Sequence, residues 1–462
     1  MRLKQLTIAA SALALAACAV GPDYATPATP SAAAGKFVAA NSPAIDPLAP
    51  VQGDWWRLYK DPVLDGLIAD ALAANTDVRS AVARLARARA ALSEVKVDRL
   101  PQIDGSAAAT RGRETGSTDA QNSFDARLDV AYELDLFGRI SRNVEAARGD
   151  VAAAEYDADA VRVAIVAETA RAYADAASAA ERLAVATRIV ELLDRSLHIT
   201  QRRVEIGETT RLDTARIAAL RNQRQAEIPA IAAERESALF RLAMLTGRAP
   251  AELPQTAGAR DLSLKLDQPV PVGDGAELIA RRPDVRAAER RLAAATARIG
   301  VATAELYPTV SLGASVGSAA GNIGNLFSNP IGFLIGPLIS WSFTDHQRAR
   351  ARIAGAEAGA QESLAEFDGA VLRSLQEAET ALSAYANSLR RREALKAARD
   401  EAEVAARIVR AQQREGEVDS LALLDAERTF AEAEAALTDM DGRVVATQID
   451  LFRALGGGWS RA

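Results

Sequence analysis

The residues that carry most enzyme chemistry are scarce in this chain. Its 462 residues contain one cysteine and two histidines, His198 and His346. No paired metal-ligand spacing, nucleophile elbow or phosphate-binding loop surrounds them. Gly456-Gly457-Gly458 is not followed by the helix that a phosphate loop requires. The sequence therefore argues against an enzyme, and it predicts no metal site and no bound cofactor.

A basic block and a long apolar run are also missing. The chain has 55 basic and 61 acidic residues. Without Arg2 and Lys4, which lie in a predicted leader, 53 basic residues remain and the net charge is −8. An acidic chain without a basic cluster disfavours nucleic acid as a partner. After residue 17 no uninterrupted apolar run reaches about twenty residues, so the sequence predicts no transmembrane helix.

The single cysteine follows a short apolar leader. Leu6–Ala17 is uncharged, mostly apolar and too short to span a bilayer, which is typical of a secretory signal. It ends in Leu15-Ala16-Ala17-Cys18, which resembles a lipoprotein lipobox, although an ordinary signal with a stray cysteine has the same form. We expect a signal peptide over 1–17 and a diacylglycerol on Cys18. Ala19, where aspartate would retain a lipoprotein at the inner membrane, favours outer-membrane sorting.

The chain repeats one plan with a register of 207 residues. Asp77-Val78-Arg79 returns as Asp284-Val285-Arg286, and Pro101 returns as Pro308. In each half the pattern predicts a short helix, two β-segments, a very long helix and a returning helix. The predicted domains are a lipidated extension over 18–54, a first repeat over 55–250, a linker over 251–276, a second repeat over 277–455 and a tail over 456–462.

The helices are predicted from their length and from the absence of breakers. Residues 150–206 and 370–415 contain no glycine or proline, and each stretch ends at a glycine, Gly207 or Gly416, which accepts a left-handed C-cap. The remaining predicted helices are Val78–Val97, Val285–Glu305, Leu212–Leu245 and Leu421–Leu455. Each half therefore contains an antiparallel hairpin with its tip at the glycine. A soluble coiled-coil spacer would explain the helices alone equally well.

Alternating segments predict four strands. Phe124–Leu136 alternates for thirteen residues, with Asp125, Asp129 and Glu133 on the polar side, a length that suits a tilted membrane strand. The others are Ile103–Ala107, Val310–Val316 and Phe333–Phe343, and polar loops at Gly112–Asn122 and Ser318–Asn329 are predicted to be extracellular. We expect the three carboxylates to line a water-filled lumen. An amphipathic sheet over a soluble core is the alternative.

Four strands are too few for a membrane barrel, because the smallest have eight and lipid tolerates no open edge. The chain must therefore oligomerise if its strands enter a membrane. Three copies would supply twelve strands and four copies sixteen. The residues alone leave both numbers open.

Several stretches resemble one known family, the TolC-like outer-membrane factors, and within it the NodT branch of efflux lipoproteins. The matching stretches, in chain order, are Cys18-Ala19-Val20-Gly21-Pro22-Asp23-Tyr24, Trp55-Trp56-Arg57-Leu58-Tyr59-Lys60-Asp61-Pro62, Tyr132-Glu133-Leu134-Asp135-Leu136-Phe137-Gly138-Arg139, Arg281-Arg282-Pro283-Asp284-Val285-Arg286 and Ala454-Leu455-Gly456-Gly457-Gly458-Trp459. Together they cover nearly the whole chain. One departure is Phe343-Thr344-Asp345-His346-Gln347-Arg348, where the family often has glycines.

The resemblance implies an α+β membrane protein of the Gram-negative outer membrane. It implies a homotrimer with a twelve-stranded β-barrel continuous with a long periplasmic α-helical barrel. It also implies docking on a periplasmic adaptor (a membrane fusion protein) and an inner-membrane transporter of the resistance-nodulation-division (RND) class. The chain would then passively conduct substrates out of a tripartite efflux system.

The resemblance also assigns two sites by position. The family's periplasmic gate falls on Leu421 and Asp425, which are four residues apart and therefore share a helix face. A ring of leucines would narrow the pore and a ring of aspartates would set its charge. The adaptor-facing tips fall on Gly207 and Gly416, with Arg203, Leu212 and Asp213 nearby. Helix-dipole stabilisation for Asp425 and simple helix capping for the glycines are the structural alternatives.

Two other functions compete with efflux. A structural coiled-coil envelope lipoprotein would explain Cys18 and the helices but not four membrane-length strands. An exit duct for type I protein secretion would share the whole architecture. The transported substrate is not predicted.

Overall fold

The computed structural model describes residues 19–28, 33–40, 42–47, 49–113, 119–266, 268–342 and 345–458. The predicted signal over 1–17, the lipid site Cys18, Phe343 and the end of the tail lie outside the described residues. The chain forms two compact units. The sheet unit comprises the described residues of Met1–Ala28 together with Ala83–Tyr156 and Arg286–Ala370. The hairpin unit comprises those of Thr29–Val82, Asp157–Val285 and Val371–Ala462.

Both halves of the chain have the same order of elements. The first half contains α1 (Pro62–Ala74), α2 (Thr76–Val97), β2 (Gln102–Gly112), β3 (Gln121–Leu134), α3 (Arg139–Glu205) and α4 (Arg211–Leu245). The second contains α5 (Gly275–Arg281), α6 (Pro283–Ala304), β5 (Thr309–Ala320), β6 (Gly332–Ser340), α7 (His346–Glu415) and α8 (Ser420–Ala454). The two-residue strands β1 (Ile45–Asp46) and β4 (Val270–Pro271) pair in parallel. Among the described residues no helix is both long and apolar enough to cross a membrane.

The strand predicted over Phe124–Leu136 ends earlier than its alternating pattern indicates. β3 stops at Leu134, and the carboxylate of Asp135 accepts hydrogen bonds from the backbone N–H groups of Ile140 and Ser141, at 2.9 and 2.7 Å. These N–H groups have no partner within α3, so an acidic side chain just before the helix satisfies them. The prediction that Asp135 and Leu136 continue the strand was therefore wrong.

The two longest helices begin earlier than predicted. α3 starts at Arg139 and passes through Gly149, which packs against Ala294, and α7 starts at His346 and passes through Gly355. A glycine inside a helix costs about 1 kcal/mol relative to alanine, which a long helix tolerates. α4 even contains Pro229. The absence of glycine and proline was therefore too strict a criterion for the helix starts.

The four long strands form one antiparallel sheet in the order β2-β3-β5-β6. β3 of the first repeat pairs with β5 of the second, with Asp129 opposite Ser315. Residues directly opposite each other in an antiparallel pair project to the same face, so the register fixes the composition of both faces. β2 and β6 are the two edge strands of this sheet.

The core of the hairpin unit gathers around Trp55. Its ring stacks on Phe452 of α8 at a centroid distance of 4.7 Å and is fully buried. Asp61 caps α1 by accepting from the N–H groups of Val63 and Leu64, and its second oxygen accepts from the hydroxyl of Tyr173 at 3.0 Å. Burial and the neighbouring carboxylate raise the pKa of Tyr173, so its hydroxyl remains a donor. The tryptophan-rich motif thus ties α1, α3 and α8 together.

The Arg281-Arg282 pair closes the end of α8. Arg281 Nε donates to the carbonyl of Leu455 at 2.9 Å, and Arg282 Nη1 donates to that of Ala454 at 3.1 Å. Cations at a helix C-terminus satisfy free carbonyls and oppose the negative end of the dipole. Two arginines before a proline therefore have a structural role inside the hairpin unit.

Candidate functional site

Both hairpin tips have the same backbone geometry. Gly207 and Gly416 have φ values of +79° and +78°, the left-handed region that was predicted for them. At the first tip Glu208 N–H donates to the carbonyl of Arg203 at 2.8 Å, and at the second Glu417 N–H donates to that of Gln412 at 2.9 Å. Gly207 N–H also donates to the carbonyl of Val204 at 3.1 Å and Gly416 N–H to that of Gln413 at 3.2 Å, so each tip is a complete Schellman motif. A Cβ at either glycine would meet no atom within 4 Å, so only the backbone conformation demands glycine.

The two returning helices are capped differently. At the first tip the carboxylate of Asp213 accepts from Thr210 N–H at 3.2 Å and from the hydroxyls of Thr209 and Thr210 at 2.6 and 2.9 Å. These hydroxyls lower the pKa of Asp213. At the second tip Asp419 accepts from Ala422 N–H at 2.9 Å. Asp213 therefore has a structural role in addition to the adaptor-facing one predicted for it.

The other predicted tip residues present side chains to the surface. Arg203 Nε donates to Glu208 at 3.1 Å, which bridges the end of α3 and the turn. Leu212 is 57% exposed in the first turn of α4. The first tip thus combines an ion pair, an exposed leucine and a rigid turn within a short stretch of chain.

The two predicted gate residues lie in the first two turns of α8. Leu421 is 50% exposed, and Asp425, one turn further, pairs with Arg428 at 2.9 Å. Asp419 supplies the N-cap, and the backbone N–H groups of the first turn lie before Asp425. Asp425 lies beyond the first turn, where the effect of the helix dipole has fallen off, so helix-dipole stabilisation does not explain it.

The pair of predicted gate residues has a counterpart in the first hairpin. The tips align with a shift of 209 residues, so Leu212 corresponds to Leu421 and Arg216 to Asp425. Both leucines are exposed at the start of a returning helix. The charge at the second position is reversed between the two helices. The duplication thus supplies a matched internal control for each gate residue.

Close to the predicted gate residues, two arginines of α7 bind carboxylates of α8. Arg410 forms a two-point ion pair with Glu427, at 2.5 and 2.7 Å, and Arg399 donates to Glu434 at 2.5 Å. Both guanidinium groups lie over the ring of Phe430, at 5.8 and 5.7 Å from its centroid. Planar guanidinium groups suit bidentate and aromatic contacts. Sequence reasoning missed this cluster because it depends on pairing between two helices.

The predicted lumen carboxylates share one face of the sheet. Asp125, Asp129 and Glu133 are spaced four residues apart along β3 and therefore belong to the same face. Asp129 lies directly opposite Asp104 of β2. Glu133 differs from the other two because Arg139 binds both of its oxygens, at 2.9 and 2.7 Å. The same face also carries Asp104 and the cation of Arg127, which lies between Asp125 and Asp129 along β3. Asp104 could not be placed there without the register of β2 against β3.

The opposite face of the sheet is apolar. Phe124, Leu128, Val310 and Ile335 belong to it through the register of β3, β5 and β6. β6 is apolar on both parities, since Leu334 and Leu338 lie on the carboxylate face and are also exposed. The single-parity pattern predicted for this strand was incomplete.

The whole architecture matches one protein family. The family model described as outer membrane efflux protein matches residues 67–248 and 276–457, the two repeats in turn. The chain belongs to the outer membrane efflux protein family. It is 34% identical to the outer membrane protein OprJ of Pseudomonas aeruginosa, over 97% of this chain and 94% of that protein. It is 29% identical to nodulation protein T of Rhizobium leguminosarum bv. trifolii, over 95% and 94%.

Solved structures agree with this assignment. The outer-membrane channel OprN superposes with a TM-score of 0.90 at 38% identity, covering 96% of this chain and all of that one. The resemblance to TolC-like factors of the NodT branch is confirmed, as is the fold class. This chain is therefore a subunit of an efflux channel in the Gram-negative outer membrane.

Proposed function

We propose that three copies of this chain form a passive exit channel of a tripartite pump, with a periplasmic adaptor and an RND-type transporter as partners. The sheet carries this proposal. It has four strands, an apolar exposed face and two open edges, β2 and β6. Hydrocarbon offers no hydrogen-bond partner to the unpaired N–H and C=O groups of an edge strand. Each edge within a membrane therefore needs another strand to pair with. Pairing between the β6 of one copy and the β2 of the next closes a twelve-stranded barrel in a trimer.

The exposure of β6 supports pairing within a membrane. Phe333, Ile335 and Ile339 are each more than 70% exposed on one face. An apolar patch of this size on an edge strand would aggregate in water and is stable in hydrocarbon. A sheet over a soluble core would bury this face, whereas among the described residues these three side chains remain largely exposed.

The trimer is tested by electrophoresis of detergent extracts before and after heating. We expect a band at three times the monomer mass in unheated SDS and a monomer after boiling. Purified trimers in planar bilayers should give discrete single-channel currents. A monomer at every temperature, together with silent bilayers, would refute the proposal. A structural envelope lipoprotein would give this refuting outcome, a monomer at every temperature and no channel currents.

We further propose that a lipid on Cys18 anchors the chain. Mass spectrometry of the N-terminal peptide should show a diacylglyceryl group and a start at residue 18. Cys18→Ser should lose that mass and enter the soluble periplasmic fraction to a greater extent. An unmodified cysteine in the mature protein would exclude the anchor and leave the channel proposal standing.

The gate and tip assignments follow from the same proposal. Leu421 and Asp425 would project from three α8 helices toward the pore axis, where they narrow it and set its charge. Gly207 and Gly416 would present rigid turns to the adaptor. The exposed Leu212 and the Arg203–Glu208 ion pair would be the adjoining contacts.

A further inference from the structure

The residues that follow Cys18 are bound to the start of α3. We call Ala19–Tyr24 the clasp. The N–H of Val20 donates to the carbonyl of Phe137 at 3.2 Å. Arg142, whose side chain is 8% exposed, donates through Nη2 to Asp23 at 2.6 Å and through Nε to the carbonyl of Val20 at 3.4 Å. A nearly buried guanidinium group is therefore directed at this segment.

The clasp is also bound to α6. The hydroxyl of Tyr24 donates to Glu289 at 2.6 Å, and the carboxylate of Glu289, 2% exposed, also accepts from Arg290 Nε at 2.6 Å. Burial and the hydrogen bond to Glu289 raise the pKa of Tyr24 to about 12, so the phenol remains a donor at neutral pH. A buried carboxylate needs such partners, because leaving it unpaired is unfavourable.

Two glycines bring the clasp into backbone contact with α6. Gly21 has a φ of +91°, and a Cβ on it would lie 2.4 Å from the Cα of Gly300. A Cβ on Gly300 would lie 2.9 Å from the carbonyl oxygen of Val20 and 2.8 Å from Cγ of Arg142. Gly300 is in a helix, where alanine is about 1 kcal/mol more favourable. Gly300 therefore leaves space between α6 and α3 that the clasp fills, and a larger residue at this position would collide with the clasp.

The clasp lies at the base of the strand pair that joins the two repeats. α3 follows β3 directly and α6 precedes β5 directly, and β3 pairs with β5. A Cβ on Gly138 would be 3.0 Å from the Cα of Ala19, so the first residue after the cysteine contacts the chain just beyond the end of β3.

We propose that the groove between α3 and α6 is a binding site for the processed, lipid-bearing end of the chain. The clasp holds Ala19, the first residue after the lipidated cysteine, at the base of the β3–β5 pair and links the two repeats where their strands meet. This rests on the lipid proposed for Cys18. A flexible tether would also hold the chain at the membrane, but it would leave the end free to move and the two repeats unlinked.

Gly300→Ala is the sharpest variant, because it raises helix propensity while it places a methyl group in the groove. Gly359→Ala in α7 is the matched control, since a Cβ there meets no atom within 4 Å. We expect Gly300→Ala to be lipidated as in wild type by mass spectrometry. Hydrogen exchange of the peptide that covers residues 19–28 should become at least about tenfold faster, and the fraction of SDS-resistant trimer should fall. The control should change neither.

Arg142→Gln tests the same site through charge, with Arg148→Gln on the exposed side of α3 as its control. We expect the same two effects in Arg142→Gln and neither in Arg148→Gln. Unchanged exchange in both groove variants would overturn the proposal, because the segment would then not depend on the groove. Faster exchange with an unaltered fraction of SDS-resistant trimer would overturn it as well. The link that the clasp makes between the two repeats would then have no effect on the trimer that their strands form. An unmodified Cys18 would remove the lipid role alone, and the exchange experiment would still test the groove.

Discussion

Arg410 and Glu427 form the two-point ion pair that joins α7 to α8 directly behind the candidate gate. Glu427 is two residues beyond Asp425, and its side chain is only 6% exposed, whereas that of Arg410 is 33% exposed. Water can therefore solvate the guanidinium group of Arg410 if Glu427 is replaced, but it can hardly reach the carboxylate of Glu427 if Arg410 is replaced. This asymmetry makes the pair testable.

We expect Arg410→Gln to destabilise the protein more than Glu427→Gln does. The first change leaves a carboxylate buried without its cation, which costs about 3 kcal/mol or more. The second leaves a guanidinium group that water can reach, and it should cost about 1 kcal/mol. Thermal melting of the detergent-solubilised protein, followed by circular dichroism, measures both. Equal losses, or the reverse order, would show that the burial of Glu427 does not determine the energetics of this hairpin.

Asp425→Ala should raise single-channel conductance severalfold if Asp425 helps to hold the pore narrow. The change removes a charge from the gate face and releases Arg428, its partner at 2.9 Å. Arg216→Ala is the matched control, since Arg216 occupies the equivalent position of α4. Conductance of both variants is measured in planar bilayers beside wild type. Unchanged conductance in Asp425→Ala, or an equal rise in Arg216→Ala, would count against the gate assignment.

The hairpins, and the places of Leu421 and Asp425 at the start of α8, could be predicted from the sequence because their signals are local. Gly207 and Gly416 mark the tips by themselves, since few residues other than glycine adopt the left-handed C-cap. Leu421 and Asp425 then follow by counting from the tip, although their role came from family resemblance. The start of α7 could not be predicted, because glycines such as Gly355 are tolerated in a helix of 70 residues.

Features that depend on distant pairing could not be predicted. Asp104 lies opposite Asp129 only through the register of β2 and β3, which neither strand encodes alone. Gly21 and Gly300 meet across most of the chain, and their contact depends on how the clasp lies on α6. The end of β3 was misjudged because Asp135 fits the alternating pattern and also caps the next helix.

Replacing the tip glycines should separate trimer formation from pump assembly. Gly416→Val forces a β-branched residue toward a left-handed conformation, which costs about 1–2 kcal/mol or displaces the turn. Gly416→Asn is the control, because asparagine tolerates this conformation. We expect normal SDS-resistant trimers in both variants and loss of adaptor crosslinking in the valine variant alone. The same holds for Gly207. Normal crosslinking in the valine variants would remove the tips from the adaptor interface.

The thermal stability of the protein should fall at acidic pH, and part of this fall should depend on Asp284. Burial opposes ionisation of Asp284, but its two hydrogen bonds with Arg282, at 2.9 and 2.7 Å, outweigh it and lower its pKa. A lowered pKa contributes stability that is complete above the unfolded value of about 3.9 and is lost as pH falls through the folded value.

Asp284→Asn should therefore reduce stability by about 1 kcal/mol at pH 7, a value discounted for the partial exposure of the carboxylate. The difference from wild type should stay constant between pH 5 and 8 and shrink below about pH 4. Melting temperatures across this range measure it. A difference that persists unchanged at pH 3 would show that the ion pair is not its source.

Neutralising the lumen carboxylates should have unequal effects on ion selectivity. Asp129 faces Asp104 across two strands, whereas both oxygens of Glu133 are bound by Arg139. Asp129→Asn should therefore lower the preference of the channel for cations, because a like-charged pair loses one of its negative charges. Glu133→Gln releases Arg139 instead and should lower that preference further by leaving a positive charge near the end of the strand. Reversal potentials in a salt gradient measure both variants. If Asp129→Asn leaves the potential unchanged, the carboxylate face of the sheet does not line the conducting path.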